Sequence, residues 1–399
     1  MKIKNIPFLL TLSAFALPIA TIYFGEIVNF LFAIFYLIVS IYFINFNYRY
    51  SLFFYFLVLS LILLLFLSII IRGNLLYYKY VYFIYYGVLN YVIFSSIKKE
   101  NSFNYFNLKF ISLYKFLLYT LFTEFIFSLI FGAETISIFL TSDIYKSYQQ
   151  VHSRFLNSIT GTNIFSGLNS LFLGPQSASL IILFMMIIFN PYEKSNILSS
   201  RGYFFLALLL FLISPTTTIF VLLICLIIFK NLKFSFQKLK NIILAIIILF
   251  SLKSILFDLY LNELSFYFEI YLMPMYAYFK LNFYYFLFGI PVNSDINDYT
   301  INHEWGLFET LILSGFFPIF LFIIVLIFIF YKYKNMSYKF NFKSNKFYLI
   351  QSSFVILVLS FFSLIHYASI FNPGFFQLMG LHLGFLLYAF DDFKDNIYD

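Results

Sequence analysis

The sequence predicts an all-α fold, a single polytopic membrane domain over residues 1–399 with about 12 transmembrane helices. Hydrophobic residues make up 62% of the chain and charged residues 11%, whereas a soluble domain carries about 25% charge. The apolar residues form runs near the length that a helix needs to cross a bilayer, about 20 residues. A disordered chain is excluded as well, because such chains are poor in apolar residues.

The predicted spans follow these apolar runs. In chain order they are Ile6–Phe24, Ile27–Phe46, Ser51–Ile71, Tyr80–Ile97, Phe110–Phe131, Leu171–Phe189, Gly202–Ile213, Thr217–Phe229, Ile242–Leu259, Leu307–Tyr331, Phe347–His366 and Phe375–Phe390. Lys2 and Lys4 precede the first run as in a signal peptide, but a second run soon follows, which favours an uncleaved first helix. The seventh and eighth spans are short for full crossings, so we expect them to extend into their flanks or to form a hairpin bent at Pro215.

Lysine and arginine predict the orientation, because cytoplasmic loops are enriched in both. With the N-terminus inside, most of the 25 Lys and Arg residues lie on the inner side. Those on the outer side are Arg72, Lys79, Lys146, Arg154 and Lys280. An even number of crossings then returns the C-terminus to the cytoplasm. The net charge of +8 reflects these basic inner loops and requires no nucleic-acid partner.

Two of the predicted external loops are long, residues 132–170 with Arg154 and residues 260–306 with His303. Long loops in compact proteins are usually functional. Because both lie on the same side of the membrane, we expect their polar groups to converge on one site.

Arg154 and His303 are the candidate catalytic residues. The planar guanidinium of Arg154 suits phosphate, because it donates two parallel hydrogen bonds; the alternative is a surface arginine whose stem lies in the membrane interface. The imidazole of His303 can accept a proton from a hydroxyl group at neutral pH; the alternative is an interfacial histidine without a role. His152 is close enough in sequence to share the task of Arg154.

Ionisable residues within membrane spans are functional candidates by default. Glu124 and Glu309 should face protein or a water-filled cavity, and Glu309 begins the span that follows His303. For His366 and His382 the sequence leaves two roles open, a functional one and an interhelical hydrogen bond.

The sequence predicts no metal site and no cofactor. It contains no HExxH, Walker or GxGxxG pattern, and Asp295, Asn297 and Asp298 lack the Gly and Glu of an EF-hand loop. The single cysteine, Cys225, excludes a disulfide framework and a cysteine-based metal cluster.

The stretch Phe288–Phe322 resembles the signature of the O-antigen ligase and O-antigen or capsular polysaccharide polymerase superfamily. That signature is a Gly-containing loop, a His followed by a polar residue, a Leu, an acidic residue and a Gly that opens the next apolar run. These places are filled by Gly289, His303, Leu307, Glu309 and Gly315.

Two further segments resemble the same family. The first, His152–Ala178, is similar to an arginine-containing loop that ends in a Pro and an Ala entering a helix; the matching residues are Arg154, Gly161, Gly174, Pro175, Gln176 and Ala178. The second, Ile213–Leu223, stands where the family has a Ser-Arg-Thr turn, but the arginine is absent and the residues are Ser214, Pro215 and Thr216. A second cation for pyrophosphate would then come from Arg72, Lys146 or Lys280.

The resemblance implies a glycosyltransferase of the bacterial cytoplasmic membrane, an oligosaccharide repeat-unit polymerase. It would move a growing glycan from undecaprenyl pyrophosphate onto a sugar hydroxyl of the next lipid-linked unit, making O-antigen of lipopolysaccharide or capsular polysaccharide for the cell envelope. His303 would assist the acceptor hydroxyl and Arg154 would bind the leaving pyrophosphate. The substrate-binding residues would be His152, Glu304, Glu309, Arg72 and Lys280. The partners are the lipid-linked glycan as donor and acceptor, the bilayer and, as a candidate, a chain-length regulator.

Two other functions stay open at this point. A ligase of the same superfamily would move finished glycan onto lipid A core or onto a protein. A polysaccharide flippase or transporter would also be polytopic and basic, but should carry charged residues along the middle of many spans. Here such residues are sparse and the polar residues gather in the two external loops, which favours the polymerase.

Overall fold

A computed structural model describes residues 5–25, 27–44, 50–72, 81–97, 102–131, 175–189, 199–213, 278–290, 311–312, 315–339, 345–363 and 374–395. The helices in these ranges are α1 (Ile6–Ala14), α2 (Leu17–Phe24), α3 (Ile27–Tyr42), α4 (Leu52–Arg72), α5 (Val81–Ser95), α6 (Ser102–Phe131), α7 (Pro175–Ile188), α8 (Ser199–Ile213), α9 (Phe283–Phe288), α10 (Phe316–Lys339), α11 (Asn345–Ser363) and α12 (Phe375–Asp395). No strand occurs in the described ranges, so the predicted all-α class is confirmed for this part of the chain.

Most of the predicted spans coincide with a helix, and Thr217–Phe229 and Ile242–Leu259 lie outside the described residues. Helix α6 begins at Ser102 rather than Phe110, and α10 begins at Phe316 rather than Leu307. Among the residues that the structure describes, no helix has both the length and the apolar character that crossing a membrane requires. The predicted crossings therefore stay predictions.

The first predicted span is two helices and not one. Helix α1 ends at Ala14, and α2 begins at Leu17 with Pro18 as its second residue. Proline has no N–H, and its ring would collide with the carbonyl four residues earlier, which here belongs to Ala14. The expectation of one continuous helix over Ile6–Phe24 was wrong for this reason.

Helices α5 and α12 pack more closely than ordinary side chains permit. Gly380 and Gly384 lie one turn apart on α12 and face α5, where a Cβ on Gly380 would overlap that of Tyr86. A Cβ on Gly384 would lie 2.5 Å from the Cβ of Asn90. Small residues four positions apart allow apolar helices to bring their backbones together. The contacts advance along both helices in the same sense, so α5 and α12 are parallel.

Helices α6 and α11 both run antiparallel to α12. The contacts that establish these directions are Tyr114–His382 and Phe106–Tyr388 for α6, and Ser353–His382 and Ser360–Met379 for α11. Helix α3 is parallel to α5, because the Tyr85 hydroxyl donates to the Ala33 carbonyl and the Tyr36 hydroxyl donates to Asn90 one turn further along both helices.

Arg72 and Gly315 lie at the same end of this bundle. The start of α4 contacts Tyr91 near the end of α5 through Tyr50 and Phe54, so α4 is antiparallel to α5 and α12. Helix α10 is joined to α11 by a short connection and packs against it, so α10 is parallel to α12. The C-terminus of α4, Arg72, therefore lies at the end where α10 begins.

We expect Gly384→Ala to lower the stability of the fold by about 1–3 kcal/mol, because α5 and α12 must separate to admit the methyl group. Thermal unfolding of the purified protein measures this loss. The matched control is Gly202→Ala in α8, where an added Cβ meets nothing within 4 Å, so alanine should leave stability unchanged or raise it. Equal losses in the two variants would contradict the close contact.

Candidate functional site

The described residues include only part of the predicted site. His303, Arg154, His152, Glu304 and Glu309 lie outside them, and their convergence stays a prediction. The remaining two predicted substrate-binding residues are described: Arg72 is the last residue of α4, and Lys280 is exposed at the end of the helical residues 278–280.

The chain on either side of His303 is held at one point. The backbone N–H of Ile290 donates to the carbonyl of Ile312 at 2.9 Å. The segment between them, which carries His303, Glu304 and Glu309, therefore leaves and rejoins the described fold at a single place. We call residues 278–290, 311–312 and 315 the stem of this segment.

Two glycines of the sequence signature meet in the stem. Gly289 and Gly315 both have positive φ, 83° and 77°, a conformation that L-residues with a Cβ rarely adopt. A Cβ on Gly315 would overlap the amide nitrogen of Gly289 and the carbonyl oxygen of Leu287. The fold therefore requires glycine at residue 315 for space as well as for its backbone angles.

Each of these glycines ends a helical turn. The N–H of Gly289 donates to the Tyr285 carbonyl at 2.7 Å and closes α9, whose start is capped by the Asn282 side chain accepting from Tyr285 N–H. The N–H of Gly315 donates to the Leu311 carbonyl at 2.8 Å. Glycine in this position is a common helix terminator, and this is why α10 begins at Phe316, after the predicted start of the tenth span.

The stem has a small core of its own. Tyr278, Ile290 and Ile312 are buried together, and the Tyr278 hydroxyl donates to the Phe286 carbonyl at 3.0 Å. Burial raises the pKa of Tyr278 to about 12, so the hydroxyl keeps its proton and remains a donor at neutral pH. Buried contacts among the residues of the stem therefore fix the backbone geometry around Gly289.

The charge at the stem is positive. Residues 278–290 contain Lys280 and no acidic residue. Arg72 lies at the same end of the bundle, as the helix directions require. Two of the residues predicted to supply a second cation, Arg72 and Lys280, thus lie at the end of the bundle that carries the stem.

A second polar centre lies inside the bundle. The Nε2 atom of His382 is 2.8 Å from the Tyr114 hydroxyl, and its Nδ1 atom is 2.9 Å from the Ser353 hydroxyl. All three side chains are fully buried, and Phe110 covers the imidazole. Both ring nitrogens are engaged, so of the two roles that the sequence left open for His382 the structure shows the interhelical hydrogen bond, joining α6, α11 and α12.

Other predictions for single residues have mixed outcomes. Helix α7 begins at Pro175, as the Pro and Ala entering a helix predict. One carboxylate oxygen of Glu124 is buried on α6, as expected for a carboxylate that faces protein. His366 lies outside the described residues. Within the ranges that the structure describes, no group of three His, Cys, Asp or Glu residues could hold a metal ion.

Sequence reasoning missed the glycine contact of α5 and α12, although the signal was present. The sequence Gly380-Leu-His-Leu-Gly384 places two glycines four residues apart within an apolar run. The same five residues contain His382, so one short motif sets both the close contact of α5 with α12 and the buried polar centre.

No family model, no curated protein and no solved structure matches this chain.

We expect Gly315→Ala to open the stem, because a Cβ cannot fit against Leu287 and Gly289. Hydrogen exchange followed by mass spectrometry should show faster exchange of the Gly289 and Ile290 amides. Gly25→Ala is the matched control, since Gly25 has a similar positive φ of 75° but nothing within 4 Å of an added Cβ. Unchanged exchange at Ile290 in Gly315→Ala would show that the contact does not hold the stem.

Proposed function

We propose that this protein is a polytopic membrane glycosyltransferase that polymerises undecaprenyl-pyrophosphate-linked repeat units into O-antigen or capsular polysaccharide. The reaction would take place at the outer face of the bacterial cytoplasmic membrane. The observation that carries the proposal is the stem, because Gly289 and Gly315 of the family signature contact each other and bring together the two ends of the segment with His303.

The outward faces of the helices support a membrane environment. On α3 the residues that face the protein are Ala33, Tyr36 and Ser40, while Leu31 and Ile38 are 56% and 61% exposed. A helix of a water-soluble protein has the opposite arrangement, with large apolar residues inside. Because no described helix meets the requirement for a crossing, this part of the proposal rests on the composition and on such outward apolar faces.

The helix directions agree with the predicted alternation of spans. Spans counted an even number apart should be parallel, as α3, α5 and α12 are, and spans an odd number apart should be antiparallel, as α6 and α11 are to α12. With the N-terminus inside, the end of the bundle with Arg72 and the stem is the outer end. That is the side on which a lipid-linked glycan would be extended.

The proposed chemistry uses the two candidate catalytic residues. The acceptor hydroxyl would lose its proton to the His303 imidazole as its oxygen bonds to the anomeric carbon of the donor. The bond from that carbon to the pyrophosphate oxygen would break, and Arg154 would stabilise the charge that collects on the pyrophosphate. His152, Arg72 and Lys280 would bind the anionic substrate, and no nucleotide, metal or cofactor is needed for these steps.

The product separates this function from its rivals. A polymerase lengthens the glycan that remains on the lipid, a ligase transfers finished glycan to lipid A core or to a protein, and a flippase makes no new bond. Purified protein in detergent, where there is no compartment to cross, should lengthen lipid-linked oligosaccharide. Glycan of unchanged length would remove the polymerase proposal.

We expect His303→Ala and Arg154→Ala to stop polymerisation, so that cells accumulate glycan of a single repeat unit. Loss of general-base assistance alone lowers rates by about 10²–10⁴. Gel analysis of surface polysaccharide measures chain length, and immunoblots of membrane fractions check that the variants are present. Arg49→Ala, on the predicted inner side, is the control for loss of an arginine and should leave chain length normal. Normal chains in both site variants would remove the assignment.

The orientation can be tested with reporters fused to the chain. Because the inner loops hold most of the Lys and Arg residues, the chain after Lys343 should lie in the cytoplasm and the chain after Asp298 outside. A reporter that works only in the cytoplasm should be active after Lys343, and one that works only outside should be active after Asp298. Alkaline phosphatase and green fluorescent protein distinguish the two sides. The reverse pattern would place the stem in the cytoplasm and end the proposal of an external active site.

A further inference from the structure

Helices α6 and α8 share a basic and aromatic cluster that the polymerase chemistry does not use. The Nζ atom of Lys115 lies 4.3 Å from the centroid of the Tyr203 ring, within the range of a cation–π interaction. The Tyr119 hydroxyl donates to the Tyr203 hydroxyl at 3.2 Å. One ammonium group and two hydroxyl groups are thus held together at the surface of the bundle.

The cluster belongs to a polar stripe on the exposed side of α6. Ser112, Lys115, Tyr119 and Thr123 follow each other at intervals of three or four residues, so they share one face of the helix. Ser112, Tyr119 and Thr123 are exposed and Lys115 is half-exposed. The outward residues of α3 and α4 are Leu, Ile, Phe and Tyr instead, so α6 presents a different chemistry to its surroundings.

The charge of the stripe is positive. It carries Lys115 and no acidic residue, and Glu124, the residue after its last member, has one carboxylate oxygen buried. A group that complements the stripe is therefore anionic and accepts hydrogen bonds.

An exposed aromatic ring lies on the same face of α6 as the stripe. Phe116 is 52% exposed; it follows Ser112 by four residues and precedes Tyr119 by three, so the three side chains share one face. The surface therefore offers a polar point and, next to it, an apolar ring.

We propose that this surface binds an anionic phospholipid. The phosphate accepts hydrogen bonds from Lys115 and from Tyr203, whose hydroxyl oxygen accepts from Tyr119, and an acyl chain lies against Phe116. Basic pockets between helices on the cytoplasmic side of membrane proteins bind anionic lipid headgroups in this way. Lys115 lies near the start of its span, close to the inner surface in the predicted orientation. The inference rests on the membrane location in the proposed function.

The test is native mass spectrometry of the full chain in detergent, titrated with phosphatidylglycerol or with phosphatidylcholine of the same acyl chains. We expect phosphatidylglycerol to bind more tightly, and Lys115→Gln to weaken its binding about fivefold while phosphatidylcholine binding is unchanged. Lys332→Gln is the matched control, because Lys332 also lies over one aromatic ring, Phe328 at 5.3 Å, but belongs to α10. Tyr203→Phe keeps the ring and removes one hydrogen-bond donor, so it should weaken binding less.

Equal binding of the two lipids, or an unchanged affinity in Lys115→Gln, would overturn the lipid site. A dimer that Lys115→Gln dissociates would also overturn it and assign the surface to a second copy of the chain. Extraction of membranes with alkaline carbonate keeps the two proposals apart. A protein that washes off removes the membrane location itself, whereas one that stays in the membrane without lipid preference loses only this site.

Discussion

The contact between α5 and α12 is the constraint on which the rest of the described bundle depends. Gly380 and Gly384 bring the two backbones together, and the directions of α3, α4, α6 and α11 follow from their contacts with this pair. In a membrane, where the proposed function would place the bundle, such contacts are stabilised by van der Waals packing, because no water is present to drive helices together. A side chain at either glycine would move α5 and α12 apart and with them α3, α6 and α11.

The polar centre at His382 depends on that contact. Its imidazole can reach Tyr114 and Ser353 together only if α12 keeps its register against α6 and α11. Buried hydrogen bonds contribute little net stability but are costly to leave unmade, so they penalise every other register. Glycine packing thus sets the distance between α5 and α12, and the hydrogen bonds of His382 set the register of α12 against α6 and α11.

Much of this bundle could be predicted from the sequence, and the reasons for the exceptions are physical. The apolar runs predicted the starts of α4 and α12 to within a few residues, because a run of apolar side chains is a local feature of the sequence. Pro18 could have indicated the break between α1 and α2, but the apolar run continues through it and so predicted a single helix. The partners of His382 could not be predicted, since Tyr114 is 268 residues away and the pairing depends on the register of three helices.

For the site, the resemblance selected Gly289 and Gly315 as matching positions, but it did not predict that they contact each other. That contact requires two helical turns that end at the same place. The meeting of Arg154 and His303 depends on two separate loops, and local patterns carry no information about the distance between them.

The stem and the bundle have different requirements, and glycine serves both. Within the bundle it removes side-chain bulk so that helices approach, whereas in the stem Gly289 and Gly315 also take backbone angles that other residues avoid. A group-transfer site gains most from fixed geometry where its loop joins the scaffold, because a small misplacement of a reacting group costs a large factor in rate. In the proposed function the stem would provide that fixed point beside the start of α10, since Tyr278 and Ile312 are buried within it. If the proposed function holds, the bundle's part in the reaction is to keep these two ends of the loop where they are while the long substrate moves past.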